Sequence, residues 1–90
     1  MSDQVVIHQL KGDIFYAQEH LENALRSFQD SLDLNPDAYF AIHPHHRKAL
    51  ILARLGRYQE ALNTCGQALS LYPDQPKIHE LKAKILKLLN

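Results

Sequence analysis

The stretch LENALRSFQDSLDLNPD, residues 21–37, returns 37 residues later as YQEALNTCGQALSLYPD, residues 58–74. A period of about 20 to 50 residues is typical of architectures that stack one supersecondary unit on the next. The positions that are identical in the two copies are Ala24/Ala61, Leu25/Leu62, Leu32/Leu69, Leu34/Leu71, Pro36/Pro73 and Asp37/Asp74. Since proline disfavours a helical conformation in the residue before it, each copy predicts a helix that ends at about Leu34 or Leu71.

Apolar residues that recur at spacings of three and four predict five amphipathic helices. We expect them at about residues 3–19, 21–34, 44–55, 58–71 and 77–89. Gly12 lies inside the first helix, where glycine costs about 1 kcal/mol relative to alanine, so we expect a neighbouring helix to approach closely there. Gly56 suits the end of the third helix, and Gly66 weakens the fourth. The expected fold class is all-α.

Most of these helices have a predicted apolar side. On the first helix it consists of Val6, Ile7, Leu10, Ile14, Phe15 and Ala17. On the second it consists of Leu21, Ala24, Leu25, Phe28, Leu32 and Leu34, and on the third of Ala49, Leu50, Leu52, Ala53 and Leu55. On the fifth it consists of Ile78, Leu81, Ile85 and Leu88. The fifth helix, with its lysines, could lie on a membrane, but we expect it to cover the apolar end of a stacked array.

The linker at about residues 35–43 is unusually apolar, because it carries Tyr39, Phe40 and Ile42. Apolar residues in a connection either pack against the helices or form a small exposed patch. We expect packing against the helices. Pro44, which follows, is suited to the first turn of the third helix.

The net charge of the chain is zero, but its charges are unevenly distributed. Residues 1–36 carry a net charge of −4, whereas residues 37–73 and 74–90 carry +2 each. A general nucleic-acid-binding protein is basic overall, so nucleic acid is not an expected partner. No apolar run approaches the roughly 20 residues that span a bilayer, and the amino terminus does not resemble a secretory signal. Cys65 is the single cysteine, so we expect no internal disulfide. We expect the chain to be cytoplasmic and to have no membrane partner.

Few residues suggest chemistry. His43, His45 and His46 surround Pro44 as HPHH, the one cluster of metal-like composition. A structural zinc site needs about four ligands, and neighbours on a helix point in different directions, so we expect neither a metal site nor another cofactor. Cys65 is expected to be a small buried residue and not a nucleophile. Without a glycine-rich phosphate loop or a catalytic motif, the chain is not expected to be an enzyme.

The pattern as a whole resembles the tetratricopeptide repeat, in which small residues alternate with large ones and a proline ends each repeat. These positions read Gly12, Phe15, Ala24, Phe28, Ser31 and Pro36 in the first repeat, and Ala49, Leu52, Ala61, Cys65, Ala68 and Pro73 in the second. The fifth helix begins the motif again with Ala83 and Leu86. The resemblance implies antiparallel helix hairpins stacked as a short right-handed superhelix. Repeat 1 would span about residues 5–38, repeat 2 about 42–75 and a capping helix about 76–89.

The sequence departs from the family pattern in two ways. Its spacing of 37 exceeds that of the family by three residues, which we place in the linker. In addition, the family's early tryptophan is replaced by histidine, and a lysine follows three residues later; these residues are His8, His45 and His79 with Lys11, Lys48 and Lys82. We expect all of them near the outer edge, where the histidine ring packs and the lysine reaches water.

In this family the first helix of each pair lines a concave groove that holds a peptide of another protein. Carried over by position, the groove residues here are Val6, Gln9, Asp13, Tyr16, His46, Leu50, Ala53, Arg54, Lys77, Glu80 and Lys84. One branch of the family grips the acidic carboxyl termini of Hsp70 and Hsp90 with a clamp of cations and an amide. The matching positions here are Gln9, Asp13, Arg47, Glu80 and Lys84. Because Asp13 and Glu80 would repel a terminal carboxylate, the sequence disfavours such a peptide as the partner.

The sequence therefore predicts an adaptor or scaffold that binds a peptide segment of another protein in its groove. A first alternative is self-association, because two repeats fall short of the three or so that are needed for stability, and the acidic amino-terminal end could stack on the basic carboxyl-terminal end. A second alternative is a metal-sensing or pH-sensing module that uses the six histidines. The chain could also be a fragment of a longer protein.

Overall fold

The computed structural model describes residues 3–34 and 41–90, and most of these residues lie in five α-helices. In chain order the helices are α1 (Asp3–Ala17), α2 (Leu21–Leu34), α3 (Ile42–Arg54), α4 (Tyr58–Leu71) and α5 (Pro76–Leu89). The described residues contain no strand, which confirms the all-α class. None of these helices is long and apolar enough to cross a membrane. The predicted bounds of α2 and α4 are confirmed, and those of the other helices shift by one or two residues.

The helices α1 and α3 end in turns of the same geometry. In each turn one residue adopts a left-handed backbone conformation: Glu19 with a φ of 63° and Gly56 with a φ of 79°. The following residue then donates its N–H to a carbonyl five residues back, His20 to Phe15 at 2.9 Å and Arg57 to Leu52 at 2.8 Å. This bond belongs to the Schellman pattern, which satisfies a free carbonyl at the helix end. The chain reverses there, so α2 packs on α1 and α4 packs on α3.

Within the first hairpin, α1 and α2 approach most closely at Gly12. A Cβ atom placed on Gly12 would lie 2.7 Å from Cζ of Phe28, closer than real Cβ atoms come to other atoms. Phe28 is completely buried. The close approach predicted from glycine in mid-helix is therefore confirmed. By contrast, nothing lies within 4 Å of a Cβ placed on Gly66, and α4 continues through that residue as a regular helix.

Helix α3 is central to the packing, because it contributes residues to both apolar clusters. The smaller cluster consists of Ala24, Phe28 and Ile51 and joins α2 to α3. The larger cluster joins α3 to α4 and α5 and consists of Ala49, Leu52, Ala61, Cys65, Ala68, Ile78, Leu81 and Ile85. These clusters contain most of the small and large positions of the repeat motif. Burial raises the pKa of the Cys65 thiol, which keeps it protonated at neutral pH.

The predicted apolar side of α1 is wrong in its orientation for most of its residues, including the exposed Ala17, although Phe15 packs against the smaller cluster. Val5 and Gly12 are buried, whereas Ile7, Leu10 and Ile14 are among the most exposed large apolar residues of the structure. Spacings of three and four locate an apolar stripe, but they do not say on which side a neighbouring helix lies. In this hairpin α2 lies against the other side of α1, where the small Gly12 allows it to come close.

Two further residues that were predicted to be buried, Leu34 on α2 and Leu88 on α5, are exposed. Both lie in the last turn of a helix, where periodicity cannot indicate how far the neighbouring helix extends. The rest of the predicted stripe on α5 is confirmed, since Ile78, Leu81 and Ile85 are buried.

The connection before α3 is described only from Ala41 onward. Tyr39 and Phe40 lie outside the described residues, and Ile42 is half-buried. Helix α3 begins at Ile42, two residues earlier than predicted, so Pro44 is the third helical residue. Proline is tolerated in this first turn, because the amide groups there have no partner within the helix.

The three histidines that replace the family's tryptophan do not share one environment. His45 is buried, His8 is half-buried and His79 is exposed. A ring nitrogen of His79 lies 2.7 Å from the carbonyl oxygen of Pro73. The expectation of a common position at the outer edge is therefore wrong for His45, because α3 is the central helix and has neighbours on several sides.

Candidate functional site

Side chains of α1, α3 and α5 meet on one side of the molecule, which we call the α1–α3–α5 face. Nε2 of His43 lies 2.8 Å from Oδ1 of Asp13, and Nη2 of Arg54 donates to Oε2 of Glu19 at 2.6 Å. The first contact joins α3 to α1, and the second joins α3 to the turn that follows α1. The four side chains are partly exposed, so both contacts are weak.

Tyr16 on α1 packs against two cations of α3. The guanidinium carbon of Arg47 lies 4.9 Å from the centre of the Tyr16 ring, and that of Arg54 lies 5.4 Å from it. A cation within about 6 Å of an aromatic face is attracted by the negative potential of the ring. Arg47 and Arg54 are therefore held in place on this face.

A cavity of about 460 Å³ opens on the α1–α3–α5 face beside Arg47. It is lined by Gln9, Ile42, His43, His46, Arg47, Gln75, Lys77 and Ile78. No carboxylate is among these residues, and two of them carry full positive charges. The cavity therefore offers hydrogen-bond donors and positive charge above apolar side chains.

Two nitrogen atoms of the lining residues have no hydrogen-bond acceptor among the described residues. They are Nε2 of Gln9 and Nε of Arg47, and both are buried from solvent. An N–H group that is buried without an acceptor costs about 1 to 3 kcal/mol, and more when it is charged. Native proteins keep few such groups.

His46 on the same cavity is electrostatically perturbed. Burial lowers its pKa from the ordinary value near 6.5, and the positive charges of Arg47 and Lys77 lower this pKa further. The imidazole is therefore neutral at pH 7. A negatively charged group bound in the cavity would act in the opposite direction and favour the protonated ring.

A second cavity, of about 480 Å³, lies chiefly between α2 and α4. Its lining carries both signs of charge, with acidic side chains from Glu22, Asp30 and Glu60 and basic ones from Arg26, Lys48 and Arg57. Arg57 and Glu60 already pair with each other. The two cavities are thus similar in size, but of these two only the one on the α1–α3–α5 face has positively charged side chains and no carboxylate in its lining.

The structure brings only some of the predicted groove residues to the cavity. Gln9, His46 and Lys77 line it. Asp13, Tyr16 and Arg54 make the contacts between α1 and α3, and Leu50 and Ala53 pack against the larger apolar cluster. Val6, Glu80 and Lys84 do not line the cavity; Val6 is half-buried, and the other two are exposed on α5.

Sequence reasoning did not include His43 and Arg47 in the predicted groove. Both line the cavity, and both contact α1. A signal was available, since positions 43, 47, 50 and 54 recur at spacings of three and four and so share one side of α3. In the sequence, His43 is a candidate for metal binding and for pH sensing, and Arg47 stands at a position that matches the chaperone clamp. Among the described residues, no group of three or more His, Cys, Asp or Glu side chains is placed to hold a metal ion.

The two hairpins, the following helix and the shared positions of small and large residues define a helical repeat scaffold. A sequence pattern of the tetratricopeptide repeat family matches residues 15–85. This match covers well over half of the chain, and the chain therefore belongs to the tetratricopeptide repeat family. Domains of this family are protein–protein interaction modules.

Two similar proteins extend the comparison. The chain is 32% identical over 62 residues to the Hsp70-Hsp90 organising protein of Plasmodium falciparum (isolate 3D7). That alignment covers 69% of this chain and only 10% of the relative. The fold is similar, with a TM-score of 0.89, to a structure of the TPR2B-domain:pHsp70-complex of yeast Sti1. The superposition covers 98% of this chain and 68% of that one at 19% sequence identity, so it bears on the fold alone.

Proposed function

We propose that this chain binds a peptide segment of another protein on its α1–α3–α5 face. One observation carries the proposal: Arg47 and Lys77 line a cavity on this face, and the lining contains no carboxylate. Backbone carbonyl or carboxylate oxygens of a peptide in the cavity would accept hydrogen bonds from the donor groups of these side chains. Membership of a family of interaction modules supports the same reading.

The mechanism is recognition by groups that are already in position. Arg47 packs over the ring of Tyr16, and His43 contacts Asp13, in the protein without a ligand. Little side-chain freedom is then lost on binding, which leaves more of the interaction energy for affinity. Lys77 at the mouth of the cavity adds attraction for negative charge, so the preferred segment is acidic or ends in a free carboxylate.

The comparisons make an Hsp70 peptide the first specific candidate to examine. The yeast domain of similar fold is in complex with pHsp70, and the Plasmodium relative is an Hsp70-Hsp90 organising protein. Our expectation differs, because Asp13 and Glu80 stand at two positions that the clamp resemblance assigns to cations or an amide. Neither residue lines the cavity, so the proposed peptide site does not depend on how this question is answered.

Selection from a peptide library tests the proposal. Random peptides with free carboxyl termini are selected on the immobilised protein, and the enriched sequences are synthesised with a fluorescent label. Their Kd is measured by fluorescence anisotropy against the natural sequence, Lys77→Glu and Lys82→Glu. Lys77 lines the cavity whereas Lys82 lies outside it, and the two substitutions change the net charge equally. We expect Lys77→Glu to weaken binding about tenfold or more, or about 1.4 kcal/mol, and Lys82→Glu to change it by less than about twofold.

Equal losses in the two variants, or no enrichment above an unrelated protein, would contradict binding in this cavity. Circular dichroism confirms that both variants fold. A labelled Hsp70 carboxyl-terminal peptide is included as a separate arm. If it binds as tightly as the selected peptides, our expectation about the chaperone partner is wrong, while the assignment of the cavity stands.

A further inference from the structure

Helix α1 carries an exposed apolar stripe that no described residue covers. Ile7, Leu10 and Ile14 are 48%, 56% and 58% exposed, and their spacing places them on one side of the helix. The opposite side of α1 packs on α2 through Gly12. Scattered single apolar residues on a surface are ordinary, but three large aliphatic side chains in a row mark a contact surface.

Helix α5 carries a second uncovered surface, which the repeat itself identifies. Ala83 and Leu86 occupy the motif positions of Ala49 and Leu52 on α3, and those two residues are buried in the cluster that includes α4. On α5 the same positions are exposed, and Leu86 is 43% exposed. The outer side of α5 therefore has the residue pattern that receives a packed helix elsewhere in this chain, and no described helix lies on it.

The two surfaces differ in the size of their side chains. In the first hairpin the small residue Gly12 receives the large ring of Phe28. On α5 the small residue is Ala83, and the stripe on α1 offers large aliphatic side chains of the kind that such a position receives.

Charge decides which surfaces pair. Helix α1 carries two acidic side chains and one basic side chain, a net charge of −1, whereas α5 carries four lysines and one glutamate, a net charge of +3. Pairing α5 with α5 would bring like charges together. Pairing α1 of one copy with α5 of another brings opposite charges together, which speeds association and sets the orientation.

We propose that the exposed stripe of α1 docks on the outer side of α5 in a second copy of this chain. The contact is heterologous, so each copy that uses its α1 surface still offers its α5 surface. Such contacts continue into open chains unless the rotation between copies closes a ring. The two surfaces lie outside the peptide cavity, so this association does not depend on the proposed function.

Analytical ultracentrifugation of two complementary variants tests the proposal. Leu10→Gln removes the α1 surface and Leu86→Gln removes the α5 surface, and both residues are exposed, so each variant should fold. The natural sequence is expected to rise above its monomer mass of 10.3 kDa with concentration. Each variant alone should stay monomeric. Their equimolar mixture should reach twice the monomer mass and no more, because one intact surface remains on each partner.

The control is Leu71→Gln, since Leu71 is a similarly exposed leucine. It is the last residue of α4 and lines a cavity with residues of α2 and α3, away from both proposed surfaces. This variant should associate like the natural sequence. A natural sequence that remains monomeric at millimolar concentration would overturn the proposal. So would a Leu86→Gln variant that still dimerises while Leu10→Gln does not, because this would indicate that α1 pairs with α1.

Discussion

At the scale of single residues, the same amino acid has opposite effects at two helical positions. Gly12 lies against the buried ring of Phe28, whereas Gly66 faces open space. We predict that Gly12→Ala lowers the free energy of unfolding by about 1 to 3 kcal/mol, because the added methyl group must displace Phe28 or separate α1 from α2. The gain in helix propensity, at most about 1 kcal/mol, is too small to compensate. Urea denaturation followed by circular dichroism measures the change.

Gly66→Ala is the matched control. Its methyl group meets nothing within 4 Å, so helix propensity alone should act and raise the free energy of unfolding by about 0.5 to 1 kcal/mol. A stabilised Gly12→Ala variant would show that α1 and α2 are not packed as described. A destabilised Gly66→Ala variant would show that the exposed side of α4 is covered in solution.

At the scale of whole elements, the turn after α1 and the turn after α3 repeat one geometry with different residues. Gly56 meets the demand for positive φ without strain, whereas Glu19 adopts it with a side chain. We predict that Gly56→Ala destabilises the protein by about 1 to 2 kcal/mol, the cost of a left-handed conformation for a residue with a Cβ. Thermal and urea unfolding of Gly56→Ala and of the natural sequence measure this change in stability.

Glu19→Gly is the reciprocal test at the equivalent turn. Removing the side chain relieves the left-handed strain but also removes the exposed ion pair with Arg54, which contributes little. The variant should therefore be as stable as the natural sequence or more stable. If it loses as much stability as Gly56→Ala does, backbone conformation does not control these helix ends.

The helices themselves could be predicted because each is determined locally. The repeated Leu-x-Leu-x-Pro-Asp stretches at residues 32–37 and 69–74 predict where α2 and α4 end. Gly12 predicts the close approach of a neighbouring helix, which the structure shows at Phe28. The orientation of α1 could not be predicted in this way. Its stripe at Ile7 and Leu10 satisfies the helical period as well as a buried stripe would, and only the position of α2 shows that it faces outward.

The candidate site was predicted only in part, for a related reason. Family position grouped Gln9, His46 and Lys77, which line one cavity in the structure, because position along a helix determines the face. The burial of the Arg47 Nε–H group without an acceptor depends on how the helices pack around it. This packing could not be predicted from the sequence. The sequence therefore indicates which residues lie on this face, but not how the assembled helices bury their polar groups.

At the scale of the whole molecule, the stability of the fold should depend on pH although the net charge is zero. At the cavity, we expect His46 to contribute most to this pH dependence. Burial and the nearby positive charges of Arg47 and Lys77 lower the pKa of His46 in the folded state. Well above pH 6.5 the ring is neutral in both the folded and the unfolded chain, so it contributes nothing to the pH dependence of stability there. Below that pH the unfolded chain binds the proton more readily, so the free energy of unfolding falls as the pH falls.

We predict that His46→Gln reduces the loss of stability between pH 7 and pH 5, because glutamine cannot bind the proton that favours unfolding. Tm measured by differential scanning calorimetry across this range, for both sequences, gives the comparison. His79→Gln is the control, since His79 is exposed and lies away from the cavity. Parallel Tm curves for the natural sequence and His46→Gln would contradict the lowered pKa. An acidic peptide bound in the cavity should also reduce the difference between the two Tm curves. Its negative charge favours the protonated ring and so opposes the effect of Arg47 and Lys77.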